Sequence, residues 1–181
     1  MHAQNVASLI KTFDDPSDGS AIKSLELILM LLECSPDPFS RAQFTPGHIT
    51  CTGLVLAADG ERMLMVHHRR LNRWLLPGGH VEPDDADIWD AANREVVEET
   101  GAHLVPSATP VLASLDVHGI PAGKGEPYHL HHDILFHFRA DGDETRLSPE
   151  SRAIAWCTPP EFDRYAVPDS VRRAYVRVRK R

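Results

Sequence analysis

A cluster of glutamates in one short segment constrains this chain more than any other feature. Residues 94–101 read REVVEETG. At 3.6 residues per turn, Glu95, Glu98 and Glu99 fall within an arc of roughly 100° on a helix, so three carboxylates project from one face. Like charges at this spacing cost a helix about 0.2–0.5 kcal/mol per pair. A hard divalent ion, Mg²⁺ or Mn²⁺, would remove the repulsion, and a solvated Glu-rich helix is the alternative.

The residues before this segment favour the metal site. Trp74-Leu75-Leu76 is a short apolar run, and Pro77-Gly78-Gly79-His80 follows it. Glycines permit close backbone approach, and the acids Asp84, Asp85 and Asp87 can cap the start of a helix and favour its dipole. The order is typical of a strand, a glycine loop and a capped acidic helix.

This order resembles the signature of the Nudix hydrolases, which contains a glycine, a loop glutamate, and then Arg-Glu, Glu-Glu and Gly on a helix. The matching positions are Arg94, Glu95, Val96, Glu98, Glu99 and Gly101. The loop departs from the signature, because Asp85 replaces the loop glutamate and one extra residue separates it from Arg94. The final apolar position is only Ala102. The helix is intact, and the supporting role of the loop acid depends on how the chain accommodates the extra residue.

The resemblance implies roles for five residues of the helix and the loop. Glu98 and Glu99 are expected to bind Mg²⁺ or Mn²⁺. Glu95 is expected either to bind the metal or to act as the base, and Arg94 is expected to hold the carboxylates in place. The Gly78 carbonyl is expected to complete the coordination shell.

Three candidates lie outside the signature. In the Nudix family a further acid often precedes a late strand, and Glu150, six residues before Trp156, is the best placed candidate for an extra base or ligand. An ordinary surface glutamate is the alternative. Arg69 and Arg70 belong to a basic run just before the glycine loop and are candidates for contacting substrate phosphates, with surface solvation as the alternative.

Histidines are unusually frequent, because the chain contains 11 of them. On a strand, His129, His131 and His137 would share one face. A His-x-His pair can bind zinc, but no cysteine or third histidine has matching spacing along the chain. Contact of His129 and His131 with substrate, and structural hydrogen bonding, are therefore kept as alternatives.

Composition narrows the classes of protein to which this chain can belong. With 181 residues, 42% of them hydrophobic, it can form one domain with a core plus an appendage. A net charge of −7 gives no general attraction to nucleic acid or to anionic membranes. The longest apolar run, 27–32, cannot span a bilayer, and the first 15 residues lack a signal peptide's pattern. We expect a cytoplasmic protein that binds neither membrane nor nucleic acid.

Two further expectations concern the cysteines and the domain organisation. Cys34, Cys51 and Cys157 are widely spaced and are expected to be buried free thiols. Residues 1–45 are expected to form an N-terminal helical extension, and residues 46–181 the hydrolase domain. In the extension, Ser20 could cap a helix running to about Glu33. Its apolar stripe is Ile22, Leu25, Leu29 and Leu32, and Ile28 and Leu27 widen it. That stripe needs cover, either from its own domain or from a second copy in a homodimer.

The rest of the pattern predicts strands and two short helices. The strands are expected at 48–58, 61–68, 111–117, 128–138 and 153–157, and the helices at 160–165 and 170–180. Asp59-Gly60 is a hairpin signal. Strands mixed with few helices favour an α/β (α+β) sandwich over a doubly wound sheet. The Nudix resemblance implies the same fold, a mixed sheet held between helices.

The chemistry follows from the charge of a diphosphate, whose hydrolysis requires cations and an activated water. The leading hypothesis is a Mg²⁺-dependent hydrolase that cleaves a diphosphate linkage in a nucleoside diphosphate derivative, such as a nucleotide sugar, ADP-ribose or a nucleoside triphosphate. One alternative is a non-catalytic nucleotide-ligand sensor, although the glutamate set is intact. Another is a prenyl diphosphate isomerase, which would require Cys-Gly-His where this chain has Gly78-Gly79-His80.

Overall fold

The helices and strands follow the predicted order closely. The structure, a computed structural model, describes residues 1–123 and 125–180. Its helices are α1 (Ala3–Ile10), α2 (Gly19–Cys34), α3 (Ile88–Thr100) and α4 (Asp169–Arg179). Its strands are β1 (Gly47–Leu56), β2 (Met63–His68), β3 (Arg73–Leu75), β4 (Gly78–His80), β5 (Leu112–Ile120), β6 (His129–Arg139) and β7 (Ser151–Cys157).

These strands form one mixed sheet. The order is β3-β2-β1-β6-β5, with β4 paired to β1 and β7 paired to β2. β1 and β6 run parallel along their whole length, and the other pairs are antiparallel. A parallel pair needs a long crossover connection, which here contains α3 and β5. The predicted mixed sheet is confirmed.

The two faces of the sheet pack against different helices. Side chains alternate along a strand, so Ile49, Cys51 and Val55 of β1 point to one face and Leu54 and Leu56 to the other. The first face shares an apolar cluster with α1, α2 and α3. The second shares a cluster with α4 and the segment before it. The sheet therefore lies between helical layers, as the sequence predicts.

The predicted helix of the extension exists, but the centre of its buried face differs from the predicted stripe. The buried side chains of α2 are Ala21, Ser24, Ile28, Leu31 and Leu32, so Ile28 and Leu32 of the predicted stripe are buried as expected. Ile22, Leu25 and Leu29 are only partly buried against the same cluster, and Leu27 is exposed. The helix packs against β5, so its own domain covers this face.

Local sequence reasoning missed three other features. Asp18, not Ser20, caps α2 by accepting a hydrogen bond from the Ala21 backbone N–H. α1 was not predicted at all. The glycine loop contains a short strand, β4, because its backbone pairs with β1. The division of the chain at residue 45 stays a prediction.

Smaller corrections apply at the cysteines and near the C-terminus. Cys51 and Cys157 are buried free thiols as predicted, but Cys34 at the end of α2 is exposed. The helix predicted at 160–165 is shorter, a 3₁₀ turn over Pro159–Glu161. Among the described helices, none is long and apolar enough to cross a bilayer.

A buried ion pair ties the N-terminal extension to α4. The Arg177 guanidinium lies 2.9 Å from Asp18 and 2.7 Å from Asp15. Burial alone would raise the pKa of Asp18, but hydrogen bonds from Ser20 and Arg177 outweigh it and lower the pKa to about 2. The cap of α2 therefore depends on a cation supplied from the opposite end of the chain.

We expect Arg177→Met to lower the free energy of unfolding by about 3 kcal/mol, since removing one partner of a buried pair strands the other charge. Arg173 still contacts Asp18 in this variant, which keeps the loss at the lower end of the usual range. Urea unfolding measures the change. The control is Arg164→Met, whose side chain is 76% exposed. Equal stabilities for the two variants would contradict the prediction.

Candidate active site

The glutamate-bearing helix, α3, begins and ends where its sequence directs. Asp87 caps it by accepting hydrogen bonds from the backbone N–H groups of Trp89 and Asp90, at 2.8 and 2.9 Å. Gly101 ends it in the left-handed conformation, with φ of 62°, which glycine adopts without strain. One face of the helix packs on β1 so closely that a Cβ on Gly53 would overlap Val96. This packing directs Glu95, Glu98 and Glu99 toward the glycine loop and solvent.

Arg94 joins the carboxylates of the helix to the loop. Its Nη1 donates hydrogen bonds to Glu95 at 2.9 Å and to Glu98 at 3.3 Å. Its Nη2 donates to the His80 carbonyl at 2.9 Å. Arg94 is thus a hydrogen-bonding centre rather than a group aimed at a reacting atom, which is the arrangement that its expected positioning role requires.

The extra loop residue does not move Asp85 out of reach of Arg94. Asp85 accepts a bidentate pair of hydrogen bonds from Arg94, Nε at 2.8 Å and Nη2 at 2.9 Å. It also accepts the Glu82 backbone N–H at 2.8 Å. The hydrogen bonds from Arg94 lower the pKa of this carboxyl, although burial opposes them. Asp85 therefore orients Arg94, and Asp87 is left to cap the helix.

The three glutamates differ in exposure and in electrostatics. The side chain of Glu98 is 60% exposed and that of Glu95 is 15% exposed, while Glu99 is buried. Burial raises the pKa of Glu95. Burial also raises the pKa of Glu99 to about 7, against a hydrogen bond from the Gly78 N–H at 3.0 Å. Arg94 already pairs with Glu95, whereas the hydrogen bond to Glu99 comes from a neutral backbone N–H, and a bound divalent cation would supply the positive charge that offsets burial there.

Two adjacent glycines allow β4 to pass between β1 and α3. A Cβ on Gly78 would lie 2.6 Å from the Cys51 carbonyl oxygen, which is backbone and cannot move aside. A Cβ on Gly79 would lie 2.8 Å from the carboxyl of Glu95. The glycines therefore bring the loop backbone close to the carboxylates, and the expected ligand role of the Gly78 carbonyl stays a prediction.

The three candidates outside the signature, Glu150, Arg69 and Arg70, have different surroundings in the structure. Glu150 lies immediately before β7, close enough for its charge to raise the pKa of Glu95 and of Glu99. Arg69 donates to the carbonyls of Pro149 and Ser151 at 3.1 and 3.2 Å, so its guanidinium holds the segment that carries Glu150. Arg70 is exposed in the turn after β2.

The candidate histidines lie on the sheet. His129 is buried, and its Nδ1 lies 2.8 Å from the Pro127 carbonyl oxygen, while His131 is partly buried. Sequence spacing gave no third histidine, but β1 and β4 bring His48 and His80 beside His131. Burial and the neighbouring imidazoles lower the pKa of His131 to about 2 and that of His80 to about 4, so both rings are neutral at pH 7.

Comparison with known proteins identifies the family to which this chain belongs. The family model described as NUDIX domain matches residues 47–177, which include the glycine loop, α3 and Glu150. The chain belongs to the Nudix family of diphosphate hydrolases. The predicted family and fold are thereby confirmed, while the roles of the individual site residues stay predictions.

Two curated Nudix relatives and one solved structure are similar to this chain. A MutT-like protein from Streptomyces ambofaciens is 31% identical over 113 residues, which cover 62% of this chain and 65% of the relative. The match thus spans slightly less than two thirds of that relative. A candidate 8-oxo-dGTP diphosphatase from Bacillus subtilis (strain 168) is 28% identical over 120 residues, 66% of this chain and 73% of the relative. The structure of a MutT protein from Methanosarcina mazei Go1 aligns with a TM-score of 0.50 and 24% identity, covering 71% of this chain and 90% of that one.

We expect Gly79→Ala to weaken Mn²⁺ binding about 10- to 100-fold, the usual effect of disturbing groups that orient metal ligands. The added Cβ displaces the Glu95 carboxyl, which Arg94 otherwise holds. Titration followed by electron paramagnetic resonance measures the affinity. Gly142→Ala is the matched control, because its Cβ would meet no atom within 4 Å. Unchanged affinity in the Gly79 variant would show that Glu95 is not a ligand.

The raised pKa of Glu99 predicts a pH-dependent stability for the metal-free Nudix domain. Because its pKa is raised from 4.5 to about 7 on folding, the folded state binds the proton more tightly. The associated stability is complete below the unfolded pKa and is lost as pH rises through about 7. We therefore expect the melting temperature in chelator to fall relative to Glu99→Gln between about pH 5 and 8, and Mg²⁺ to remove this difference. Parallel curves for the two proteins in chelator would contradict the prediction.

Proposed function

We propose that this Nudix protein is a Mg²⁺- or Mn²⁺-dependent hydrolase that cleaves a diphosphate linkage in a nucleoside diphosphate derivative. The observation that carries the proposal is the set of three carboxylates on one face of α3. Arg94 and Asp85 orient this set, and β4, the strand that contains Gly78 and Gly79, lies next to it. Carboxylate oxygens and a backbone carbonyl suit a hard cation, and the burial that raises the pKa of Glu99 to about 7 favours a cation bound beside it.

The cation, when bound, supplies charge stabilisation for the phosphate oxygens and a lowered pKa for water. The residues of the chain hold and orient it. We assign Glu98, Glu99 and the Gly78 carbonyl as ligands. Glu95 is either a further ligand or the base, and its burial, which raises its pKa, makes it a better proton acceptor than an exposed carboxylate.

Glu150 is the second candidate for the base or for an additional ligand. Its charge affects Glu95 and Glu99 although it belongs to a different segment of the chain. Arg69 supports this assignment indirectly, because it fixes the backbone on both sides of Glu150 and is therefore a positioning residue. Arg70, exposed in the neighbouring turn, stays a candidate for contacting substrate phosphates.

The substrate class rests on the relatives. The name of the B. subtilis relative specifies a modified nucleoside triphosphate, which supports a nucleoside triphosphate or related nucleotide as substrate here. Isomerisation of a prenyl diphosphate is not supported, because the cysteine beside the glycine strand, Cys51, is buried and burial raises its thiol pKa well above the usual range. A thiol in that state is a poor nucleophile and a poor acid.

We also propose a cytoplasmic location, which three free cysteines and no disulfide among the described residues support. A homodimer through the N-terminal extension would have to use the outer surface of α2, where Leu27 and Met30 are exposed, since the inner face is already covered. Sedimentation velocity of wild type and Met30→Glu tests this contact, and identical monomeric profiles would exclude it.

We expect Glu98→Gln to lower turnover by at least about 100-fold, comparable to removing one charge-stabilising group from an active site. Glu98 is largely exposed, so the loss should come without a change in melting temperature. The assay incubates nucleoside triphosphates, nucleotide sugars and ADP-ribose with Mg²⁺ in ¹⁸O-labelled water and weighs the products. One labelled oxygen on a phosphate product identifies hydrolysis.

The matched control is Glu144→Gln, an exposed glutamate outside the proposed ligand set that should retain full turnover. Near-normal turnover in Glu98→Gln would exclude this residue as a ligand. Tight binding of the nucleotides without labelled phosphate, with either Mg²⁺ or Mn²⁺, would replace the hydrolase proposal with that of a sensor.

A further inference from the structure

Three imidazoles from three strands meet on the sheet face opposite α3. The sheet register places His48 of β1 beside His131 of β6, and Thr50 of β1 beside His80 of β4. One ring nitrogen from each histidine lies within 4.8 Å of the other two. None of the three imidazoles belongs to the proposed carboxylate site, so this histidine cluster is chemically separate from it.

His48 shows that the cluster has an unused lone pair. Its Nδ1 lies 3.1 Å from the Gln43 carbonyl oxygen, and because a carbonyl can only accept, the proton is on Nδ1. Nε2 therefore carries a lone pair, and it is buried without a hydrogen-bond partner among the described residues. Such an orphaned atom costs about 1–3 kcal/mol. A histidine that donates one ring N–H to a carbonyl and presents the other nitrogen is the usual arrangement of a metal ligand.

We propose that His48, His80 and His131 bind one divalent first-row transition-metal ion, with Zn²⁺ as the best match. Neutral imidazole nitrogens suit Zn²⁺ and neighbouring transition metals, whereas Mg²⁺ and Ca²⁺ prefer oxygen. Three histidines leave a fourth tetrahedral position for water or another ligand. The set is therefore selective against the cation that we assign to the carboxylates of α3.

The distances allow this ion with a small side-chain adjustment. Zinc–nitrogen bonds of about 2.0–2.1 Å place two ligand nitrogens at most about 4.2 Å apart, and about 3.4 Å apart in a tetrahedron. From separations within 4.8 Å, the rings need to close by roughly 1 Å. His80 and His131 are only partly buried, so ring rotation can supply this movement, while His48 is held by Gln43.

Binding would connect β1, β4 and β6 through side chains as well as through the backbone. β4 has only three residues and includes both glycines of the loop. An ion at His80 would therefore fix the strand that brings Gly78 to Glu99. We expect Zn²⁺ to raise the melting temperature of the wild-type protein in proportion to the logarithm of its concentration, as any ligand specific to the native state does.

The test titrates chelator-treated protein with Zn²⁺ by calorimetry in excess Mg²⁺, and with Co²⁺ followed by visible absorption. Wild type should bind one Zn²⁺, and Co²⁺ should give the intense bands of tetrahedral nitrogen coordination. His80→Ala and His131→Ala should each lower the Zn²⁺ affinity by at least about 100-fold. Removing a group that only orients a metal ligand already lowers metal affinity by up to about 100-fold, and removing the ligand itself should lower it by at least as much. Two variants are used so that a folding defect in one, detected by circular dichroism, leaves the other informative.

Two control variants separate this site from other binding. His103→Ala removes an exposed histidine outside the cluster and should leave the Zn²⁺ affinity unchanged. Glu98→Gln alters the carboxylate site and should also bind Zn²⁺ like wild type. Unchanged affinity in a folded His80 or His131 variant would overturn the proposal, and so would loss of Zn²⁺ binding in Glu98→Gln.

Discussion

The paired hydrogen bonds between Arg94 and Asp85 are the interaction on which the candidate site depends. Three carboxylates on one helix face repel one another, and without a fixed cation each would turn toward solvent independently. Arg94 contacts Glu95 and Glu98 directly, and Asp85 fixes the plane of its guanidinium. Asp85 accepts hydrogen bonds from two of the five N–H groups of the Arg94 guanidinium, so the directions of the other three are fixed. One of these three donates to the His80 carbonyl. One side chain therefore links two of the three carboxylates to the loop acid and to β4.

The glycines determine how close that distance can be. β4 pairs with β1 on one side and faces α3 on the other, and a side chain at Gly78 or Gly79 would overlap with one of them. The close approach lets the Gly78 N–H reach Glu99, the most buried of the three carboxylates. That single hydrogen bond does not offset burial, so the pKa of Glu99 stays raised. The fold thus leaves the Glu99 carboxylate with little charge compensation, which supports the proposal that a cation binds beside it.

Sequence reasoning recovered the features that depend on local spacing. The helix, its glutamates, most strands and the mixed sheet follow from residue patterns that repeat within a few positions, and they are confirmed as elements of the structure. The role of the loop acid, Asp85, was harder to predict, because one inserted residue shifts its position in the sequence pattern. Only the hydrogen bonds of the folded loop show that Asp85 still reaches Arg94. The buried face of α2 was only partly predicted, because the stripe assumed that large apolar residues would be buried, whereas the small Ala21 and the polar Ser24 are buried as well. His48 and His80 were missed as partners of His131 because they come from separate strands, and only the sheet register brings them together.

That register gives His80 a position in both candidate sites. Its backbone carbonyl accepts a hydrogen bond from Arg94, and its ring lies 5.1 Å from that of His48 and 5.4 Å from that of His131, measured between centroids. Side chains alternate along β4. Gly79 lies against Glu95 of α3, so the side chain of the next residue, His80, points to the opposite face of the sheet. The residue whose ring would bind the metal is therefore the same residue whose carbonyl accepts the hydrogen bond from Arg94. The two candidate sites, on opposite faces of the sheet, share one backbone position.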